Sequence, residues 1–212
     1  MSGSRSLHEL SQPEYWNTRY SRSDDDGTFE WFKSFKALSS FFEKRLPNPS
    51  IEGKIPRILH LGCGNSTLPI DLYNLGYKSQ ACVDFSEVVI KSMAECYMQN
   101  RGIEWKVADV RSMMEFANDE FDVAIDKGTL DSMLHGSLWD PPEDVRRDTG
   151  SYLDQVARVL RKEGRFLYIT YQQPHFIIPL LERNDTWRIE VIELTKEAGS
   201  FDYFGFVMDK KL

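Results

Sequence analysis

The sequence contains few cysteines, and their positions do not suggest a disulfide or a metal site. Cys63, Cys82 and Cys96 show no CxxC spacing, and two of them lie in apolar runs. We therefore expect buried thiols in a reducing compartment. The four histidines are scattered along the chain without the spacing of metal ligands. The sequence thus predicts no bound metal.

Long hydrophobic runs are also missing. No stretch approaches the roughly 18 consecutive apolar residues of a membrane-spanning helix. The opening residues lack the apolar core of a secretory signal peptide. We expect a protein that does not associate with membranes and that works in the cytoplasm, with the nucleus as a second compartment.

Positive charge is in deficit. Lys and Arg number 26 against 33 Asp and Glu, which gives a net charge of −7. This balance argues against direct binding of nucleic acid, since phosphate recognition draws on clustered Lys and Arg. An acidic surface equally suits a basic protein partner.

With 41% apolar and 28% charged residues the composition is globular. We expect one monomeric domain over residues 1–212, in which residues 1–50 form a lid and a helix.

Short apolar runs alternate with stretches of helical periodicity from Arg57 onward. Strands that alternate with helices predict a parallel sheet covered on both faces. The last two strands lack a helical crossover and are joined by a turn at residues 195–200, so we expect an antiparallel pair. The predicted fold is an α/β three-layer sandwich, whose doubly wound, mostly parallel seven-stranded sheet has an antiparallel last strand. The predicted strands cover residues 57–62, 79–85, 103–110, 121–126, 165–171, 187–194 and 201–211.

Among the helices predicted from periodicity are two at residues 29–46 and 149–164. Residues 29–46 carry apolar side chains at helical spacing, and Trp31 and Phe32 begin this helix. A second helix is predicted over residues 149–164, where it is closed by a glycine. The preceding stretch, residues 137–149, is expected to be a loop on the substrate side.

The run RILHLGCGNS ends a predicted strand in two glycines. Gly62 and Gly64 lack the Cβ atoms that would keep a ligand away from the backbone amides. Asp84 ends the next strand, 20 residues after Gly64, where a carboxylate can accept hydrogen bonds from both hydroxyls of a ribose. Asp109 ends the third strand, where it can reach an adenine amino group. Together these strand ends predict a site for a cofactor that contains a nucleoside.

Two other interpretations of the glycine loop remain open. The loop can be a plain tight turn with no ligand. It can also belong to a dinucleotide site, although a nicotinamide site prefers GxGxxG and Thr67 stands at the third position here. An oxidoreductase is therefore the alternative that this loop leaves open.

Three segments together resemble one family. EYWNTRY near the start, LGCGNS in the middle and DKGTLDSML after the fourth strand are similar to the class I S-adenosylmethionine-dependent methyltransferases. Within that family they resemble the methyltransferase-like proteins that modify lysines of translation elongation factor 1-alpha. The resemblance covers nearly the whole chain and implies S-adenosyl-L-methionine as cofactor, S-adenosyl-L-homocysteine as product and elongation factor 1-alpha as protein substrate. Relatives also form one half of a larger two-domain methyltransferase, so the acceptor can differ among them.

The resemblance implies that the EYWNTRY segment folds over the cofactor as a lid. Trp16 and Tyr20 offer apolar cover, and Arg19 can pair with the methionine carboxylate. The alternative is that the aromatic residues only fix the first helix to the core. Ser86 is also expected to cap the helix that follows it. The implied cofactor contacts are Trp16, Arg19, Tyr20, Gly62, Cys63, Gly64, Asn65, Asp84, Phe85, Ser86, Asp109, Val110, Asp126 and Lys127.

Asp126 is the candidate catalytic residue. It ends the fourth strand, at the crevice where such sheets bind ligands, and is expected to point toward the methyl group and the acceptor. A lysine must be neutral to attack, so a carboxylate can help to remove its proton, although alignment and exclusion of water are the main requirements. Lys127 and Asp131 are expected to pair with each other. His175 is the candidate substrate contact, and His60 is expected in the core.

The leading hypothesis is a protein lysine N-methyltransferase that acts on elongation factor 1-alpha. A small-molecule or polyamine-type transferase on the same fold is the nearest alternative. A cofactor-binding interaction protein without catalysis is an alternative of a different class. The acidic charge of the chain suits any cationic amine and does not distinguish a protein lysine from a polyamine.

Overall fold

The structure is a computed structural model that describes residues 7–22, 27–49, 55–183, 185–194 and 201–211. Its strands are β1 (Arg57–Leu61), β2 (Ser79–Asp84), β3 (Ile103–Val107), β4 (Phe121–Lys127), β5 (Leu160–Thr170), β6 (Trp187–Leu194) and β7 (Tyr203–Lys210). After a short 3₁₀ helix, Leu7–Ser11, its α-helices are α1 (Pro13–Tyr20), α2 (Phe35–Arg45), α3 (Leu68–Asn74), α4 (Glu87–Cys96), α5 (Thr129–Met133), α6 (Glu143–Val159) and α7 (Pro174–Leu181). Among the described residues, no helix combines the length and the apolar character that crossing a bilayer requires.

Within the described residues, seven strands form one sheet in the order β3-β2-β1-β4-β5-β7-β6. Neighbours among β1 to β5 are parallel, and β7 is antiparallel to both β5 and β6. The chain passes from β3 back to β4 on the other side of β1, so the sheet is doubly wound and its ligand crevice is expected there. The predicted sheet is confirmed. The turn predicted at residues 195–200 lies outside the described residues.

The core lies on both faces of the sheet because side chains alternate along each strand. On β5, Phe166 packs with Tyr152 of α6, whereas the next residue, Leu167, packs with Leu38 of α2 and Leu72 of α3. All five side chains are almost completely buried. Helices therefore cover both faces, as the predicted three-layer sandwich requires.

The helix predicted over residues 29–46 begins later than expected. Phe32 has φ of +65°, a left-handed conformation that an α-helix cannot contain, and α2 starts at Phe35. The prediction that Trp31 and Phe32 begin the helix is therefore wrong. Both residues lie in an irregular segment that precedes α2.

The helix predicted over residues 149–164 is shifted toward the N-terminus in the structure. α6 begins at Glu143, inside the stretch that was expected to be a loop, and ends at Val159. Leu160 is completely buried and pairs with Phe121 of β4, so the residues after it belong to β5. Tertiary pairing with β4 therefore ends the helix before the glycine.

Candidate functional site

A cavity of about 150 Å³ lies at the crevice beside β1 and β4. Its walls come from the N-terminal segment, from the turns after β1, β2, β3 and β4, and from α5. The lining residues are Leu10, Ser11, Trp16, Tyr20, Phe29, Trp31, Phe32, His60, Leu61, 62–66, Leu68, Pro69, Asp84, Phe85, 108–111, Ile125, 127–129, 131–133 and Tyr171. The volume is below the roughly 300–1,000 Å³ of most ligand pockets.

The two glycines of the loop face protein atoms in the structure. Both adopt left-handed φ angles, +60° at Gly62 and +51° at Gly64. A Cβ on Gly62 would lie 2.6 Å from Cγ2 of Thr129, whose hydroxyl donates to the carbonyl of Leu61 at 2.7 Å. A Cβ on Gly64 would lie 2.8 Å from the hydroxyl oxygen of Tyr20. The expectation that Gly62 leaves room for a ligand is therefore wrong: Thr129 fills that space.

Asp84 lies at the end of β2 and lines the cavity, where the sequence places it. Its carboxylate accepts hydrogen bonds from the backbone amides of Gly64 at 3.0 Å and Ser86 at 2.9 Å. Burial raises the pKa of Asp84 to about 6, although these amides favour the ionised form. The two amides fix the direction of the carboxylate and leave oxygen lone pairs for a ligand.

The other residues of the loop and of the second turn divide into two groups. Cys63, Asn65 and Phe85 line the cavity as predicted, and the Asn65 amide also donates to the carbonyl of Gly27 at 3.3 Å. Ser86 is not among the described residues that line it. Ser86 occupies the N-cap position of α4, as predicted, but its hydroxyl donates to Asn17 on α1 at 2.7 Å and makes no cap hydrogen bond.

Asp109 and Val110 lie on the cavity wall just after β3. Burial disfavours ionisation of Asp109, but hydrogen bonds from the Arg111 guanidinium outweigh it and lower the pKa of Asp109. Arg111 also donates to Asp148 of α6 at 2.7 Å. The carboxylate of Asp109 is thus ionised and fixed. Its contact with an adenine amino group stays a prediction.

The N-terminal segment forms an aromatic cover over the cavity. Trp16 is buried, stacks on Tyr20 at 5.8 Å between ring centroids and meets Trp31 edge-on at 5.8 Å. Its indole N–H donates to the carbonyl of Leu10 at 2.6 Å. Arg19 is not among the described lining residues, because its guanidinium lies over the rings of Phe29 and Trp31. Its pairing with a methionine carboxylate stays a prediction.

Glu30 connects this cover to the glycine loop, and no motif in the sequence marks it. Its carboxylate accepts hydrogen bonds from the backbone N–H of Thr67 at 2.6 Å, from the hydroxyl of Ser66 and from the Lys127 ammonium at 2.9 Å. Lys127 is nearly buried and also donates to the carbonyl of Trp31 at 2.8 Å. Lys127 therefore pairs with Glu30, and the expected pairing with Asp131 is wrong.

Asp126 is buried beneath the site and does not face the cavity. Its carboxylate accepts hydrogen bonds from the amides of Thr129 at 2.8 Å and Leu130 at 2.9 Å, and from the hydroxyl of Tyr152 at 2.7 Å. Burial raises its pKa to about 6. The structure contradicts the expectation that Asp126 points toward the acceptor, because its oxygens hold the first turn of α5. It is not among the described residues that line the cavity.

Asp131 lies in the first turn of α5, just after β4, and is among the residues that line the cavity. One oxygen accepts a hydrogen bond from the hydroxyl of Thr170 at 2.6 Å, and the other from the hydroxyl of Tyr168 at 2.8 Å. Burial raises the pKa of Asp131 to about 7, and the nearby charge of Asp126 adds to this effect. A carboxyl group with this pKa in a cavity is a candidate functional group.

The histidines singled out in the sequence lie in different surroundings. His60 is buried, and its ring lies 2.6 Å from the amide oxygen of Gln80, which confirms it as a core residue. Burial lowers its pKa to about 4. His175 is exposed beside Phe176 and Trp139 and is not among the described lining residues. Its contact with a substrate stays a prediction.

The strand order, the antiparallel β7 and a glycine loop followed by an acidic strand end define a class I methyltransferase fold. A family model described as "Methyltransferase domain" matches residues 54–202. The chain belongs to this methyltransferase domain family.

Named relatives and solved structures agree with this family. The chain is 36% identical to "EEF1A lysine methyltransferase 4" of Mus musculus, over 80% of this chain and 65% of that protein. It is 29% identical to "eEF1A lysine and N-terminal methyltransferase" of Homo sapiens, over 97% of this chain and 30% of that protein. The chain thus spans less than two thirds of these relatives. The N-methyltransferase NodS of Bradyrhizobium japonicum, in complex with S-adenosyl-L-homocysteine, shares the fold with a TM-score of 0.62 at 13% identity, over 93% of this chain and 97% of that one.

Proposed function

We propose that this chain is an S-adenosylmethionine-dependent protein lysine N-methyltransferase that acts on translation elongation factor 1-alpha. The observation that carries the proposal is the cavity itself, which Asp84 and Asp131 both line together with aromatic residues of the N-terminal segment. The first suits a ribose and the second suits a cationic amine. The acceptor comes from the printed names of the relatives, two of which modify lysine of this elongation factor.

The residues present fit the proposed cofactor. Asp84 is held by two backbone amides with its remaining lone pairs available for ribose hydroxyls. Asp109 and Val110 stand at the next strand end, where an adenine would lie. When bound, S-adenosyl-L-methionine supplies a methyl group on a positively charged sulfur. Residues 1–50 would act as the lid of one methyltransferase domain.

Asp131 would receive the amine of the substrate. As a carboxylate it would attract the lysine ammonium, and as a base it would accept a proton from it, which leaves the amine neutral with its lone pair free. Tyr168 and Thr170 hold both oxygens of Asp131, so the amine meets a fixed acceptor. Phe32 and Tyr171, whose rings meet edge-on at 5.4 Å, also line the cavity. The reaction proposed here requires alignment and a dry site and uses no metal.

The test incubates the protein with radiolabelled cofactor and elongation factor 1-alpha, with lysate from cells lacking the enzyme as a second substrate. We expect label on the elongation factor that disappears when the target lysine is changed to arginine. Label found in small molecules alone would favour a polyamine-type transferase and contradict the proposed acceptor. Firm binding of S-adenosyl-L-homocysteine without any transfer would favour a binding protein without catalysis.

A further inference from the structure

Three potential metal ligands from distant parts of the chain meet outside the cavity. His8 lies in the 3₁₀ helix, His135 follows α5, and Asp144 lies in the first turn of α6. Their ligand atoms all lie within 4.8 Å of one another. Nε2 of His135 is 3.1 Å from Oδ2 of Asp144, and the His8 and His135 rings meet edge-on at 4.9 Å between centroids. No sequence pattern predicts this cluster, because the three residues share no local spacing.

We propose that His8, His135 and Asp144 form a binding site for a divalent transition metal, with zinc as the favoured ion. Two imidazoles and one carboxylate, with water as a fourth ligand, are a typical zinc environment, in which each bond is roughly 2.0–2.2 Å long. The 3.1 Å between His135 and Asp144 already suits two ligands that share one ion. The His8 ring has to approach by a rotation of its side chain.

The surroundings of the cluster support ligand positions rather than a chance contact. The second oxygen of Asp144 accepts a hydrogen bond from the backbone N–H of Val145 at 3.0 Å, which fixes the carboxylate, as outer partners do in metal sites. The side chains of His135 and Asp144 are 17% and 41% exposed, so an ion can reach them from solvent. Neither His8 nor His135 contributes to the proposed chemistry, and neither is needed in the core.

A metal at this site would tie the aromatic cover to the body of the protein. His8 shares the 3₁₀ helix with Leu10 and Ser11, which line the cavity, and the indole of Trp16 donates to the carbonyl of Leu10. His135 closely follows α5, whose residues line the same cavity. Zinc would therefore act as a clamp that holds the cover closed. This consequence rests on the proposed cofactor, whereas zinc binding itself does not.

The test titrates chelator-treated, untagged full-length protein with Zn²⁺ against a chromophoric chelator, in a Cys96→Ser background that removes the exposed thiol. We expect one equivalent of zinc to bind, and His8→Ala or His135→Ala to weaken it by at least about tenfold. His175→Ala is the matched control, because this exposed histidine lies outside the cluster, and it should bind zinc as before. Equal affinity in all variants, or no saturable binding, would overturn the site. Circular dichroism shows whether each variant is folded.

A second measurement tests the clamp. In stopped-flow experiments, saturating zinc should slow the dissociation of S-adenosyl-L-homocysteine from the Cys96→Ser protein and leave its dissociation from the His8→Ala variant of the same background unchanged. If zinc leaves the dissociation rate of S-adenosyl-L-homocysteine unchanged in both proteins, the proposed clamp is refuted. No methyl acceptor is present in either experiment, so a failure of the proposed acceptor cannot be confused with a failure of the metal site.

Discussion

Gly62→Ala offers the sharpest test of how the glycine loop is built. If the glycine serves ligand approach, a methyl group there should affect cofactor binding and leave folding almost unchanged. If it serves the packing seen in the structure, the methyl group must displace Thr129, whose Cβ and Cγ2 would lie 2.9 and 2.6 Å from it. The second outcome is the one that we expect.

The expected cost follows from three contributions. Alanine at φ of +60° loses about 1–2 kcal/mol relative to glycine. Displacement of Thr129 overpacks the turn by about 1–3 kcal/mol and weakens its hydrogen bond to Leu61, worth about 0.5–1.5 kcal/mol. Gly62→Ala should therefore lower the free energy of unfolding by about 3–6 kcal/mol, a large part of the total of about 5–15 kcal/mol.

Gly27→Ala is the matched control for this change. Gly27 also has a left-handed φ, +84°, but a Cβ there would meet nothing within 4 Å, so only the backbone cost of about 1–2 kcal/mol remains. Urea unfolding at constant m-value measures both variants. Gly62→Ala should also cost less in a Thr129→Ala background, because the two sites are in contact. A loss of unfolding free energy in Gly62→Ala no larger than that in Gly27→Ala would contradict the packing role of Gly62.

Four further outcomes are expected. Asp84→Ala should weaken S-adenosyl-L-homocysteine binding by about 1–3 kcal/mol in a calorimeter, and unchanged affinity would place Asp84 outside the site. Asp131 must be ionised to receive the amine, and its pKa is about 7. The kcat/KM of wild type divided by that of Asp131→Asn should therefore fall as the pH drops through that value. A ratio that does not change with pH would exclude this role. The pKa of Asp126 is about 6 in the folded protein and 3.8 ordinarily, so its ionisation should lower the free energy of unfolding as the pH rises from 4 to 6. In urea unfolding, Asp126→Asn should reduce this dependence of the free energy of unfolding on pH. An unchanged dependence would contradict the raised pKa. Deleting residues 1–20 should lower the affinity for the cofactor more than it lowers the free energy of unfolding. Normal affinity in the truncated protein would show that the segment only packs against the core.

The central strands β1, β2 and β4 could be predicted from sequence because they are buried along most of their length and therefore read as short apolar runs. Asp84 could be placed for the same reason, since it directly follows such a run. The start of α6 also has a signal in the sequence, since Pro142 followed by Glu143 and Asp144 is a typical helix beginning, although residues 137–149 as a whole are predicted as a loop.

The roles of Asp126 and Asp131 could not be read from sequence. Both are carboxylates in the same short segment, and which one faces the cavity depends on the tight turn at Gly128, whose φ is +96°. The turn directs the first amides of α5 back toward Asp126, and this leaves Asp131 on the open side. Glu30 is a different case, because it lies 97 residues from its partner Lys127 and no local pattern marks it.

The position of β7 has a consequence for the synthesis of the chain. β7 leaves the ribosome after the other six described strands, yet it lies between β5 and β6, where it pairs with residues 165–170 of β5 and with all of β6. Until residues 203–210 have emerged, β5 offers an unpaired edge and β6 has no neighbour in the sheet. The part of the sheet formed by β3, β2, β1 and β4 can assemble during translation, whereas the part formed by β5, β7 and β6 has to wait for β7. A chain stalled before that point would carry an open, apolar edge at β5, which makes it a substrate for chaperones or for aggregation.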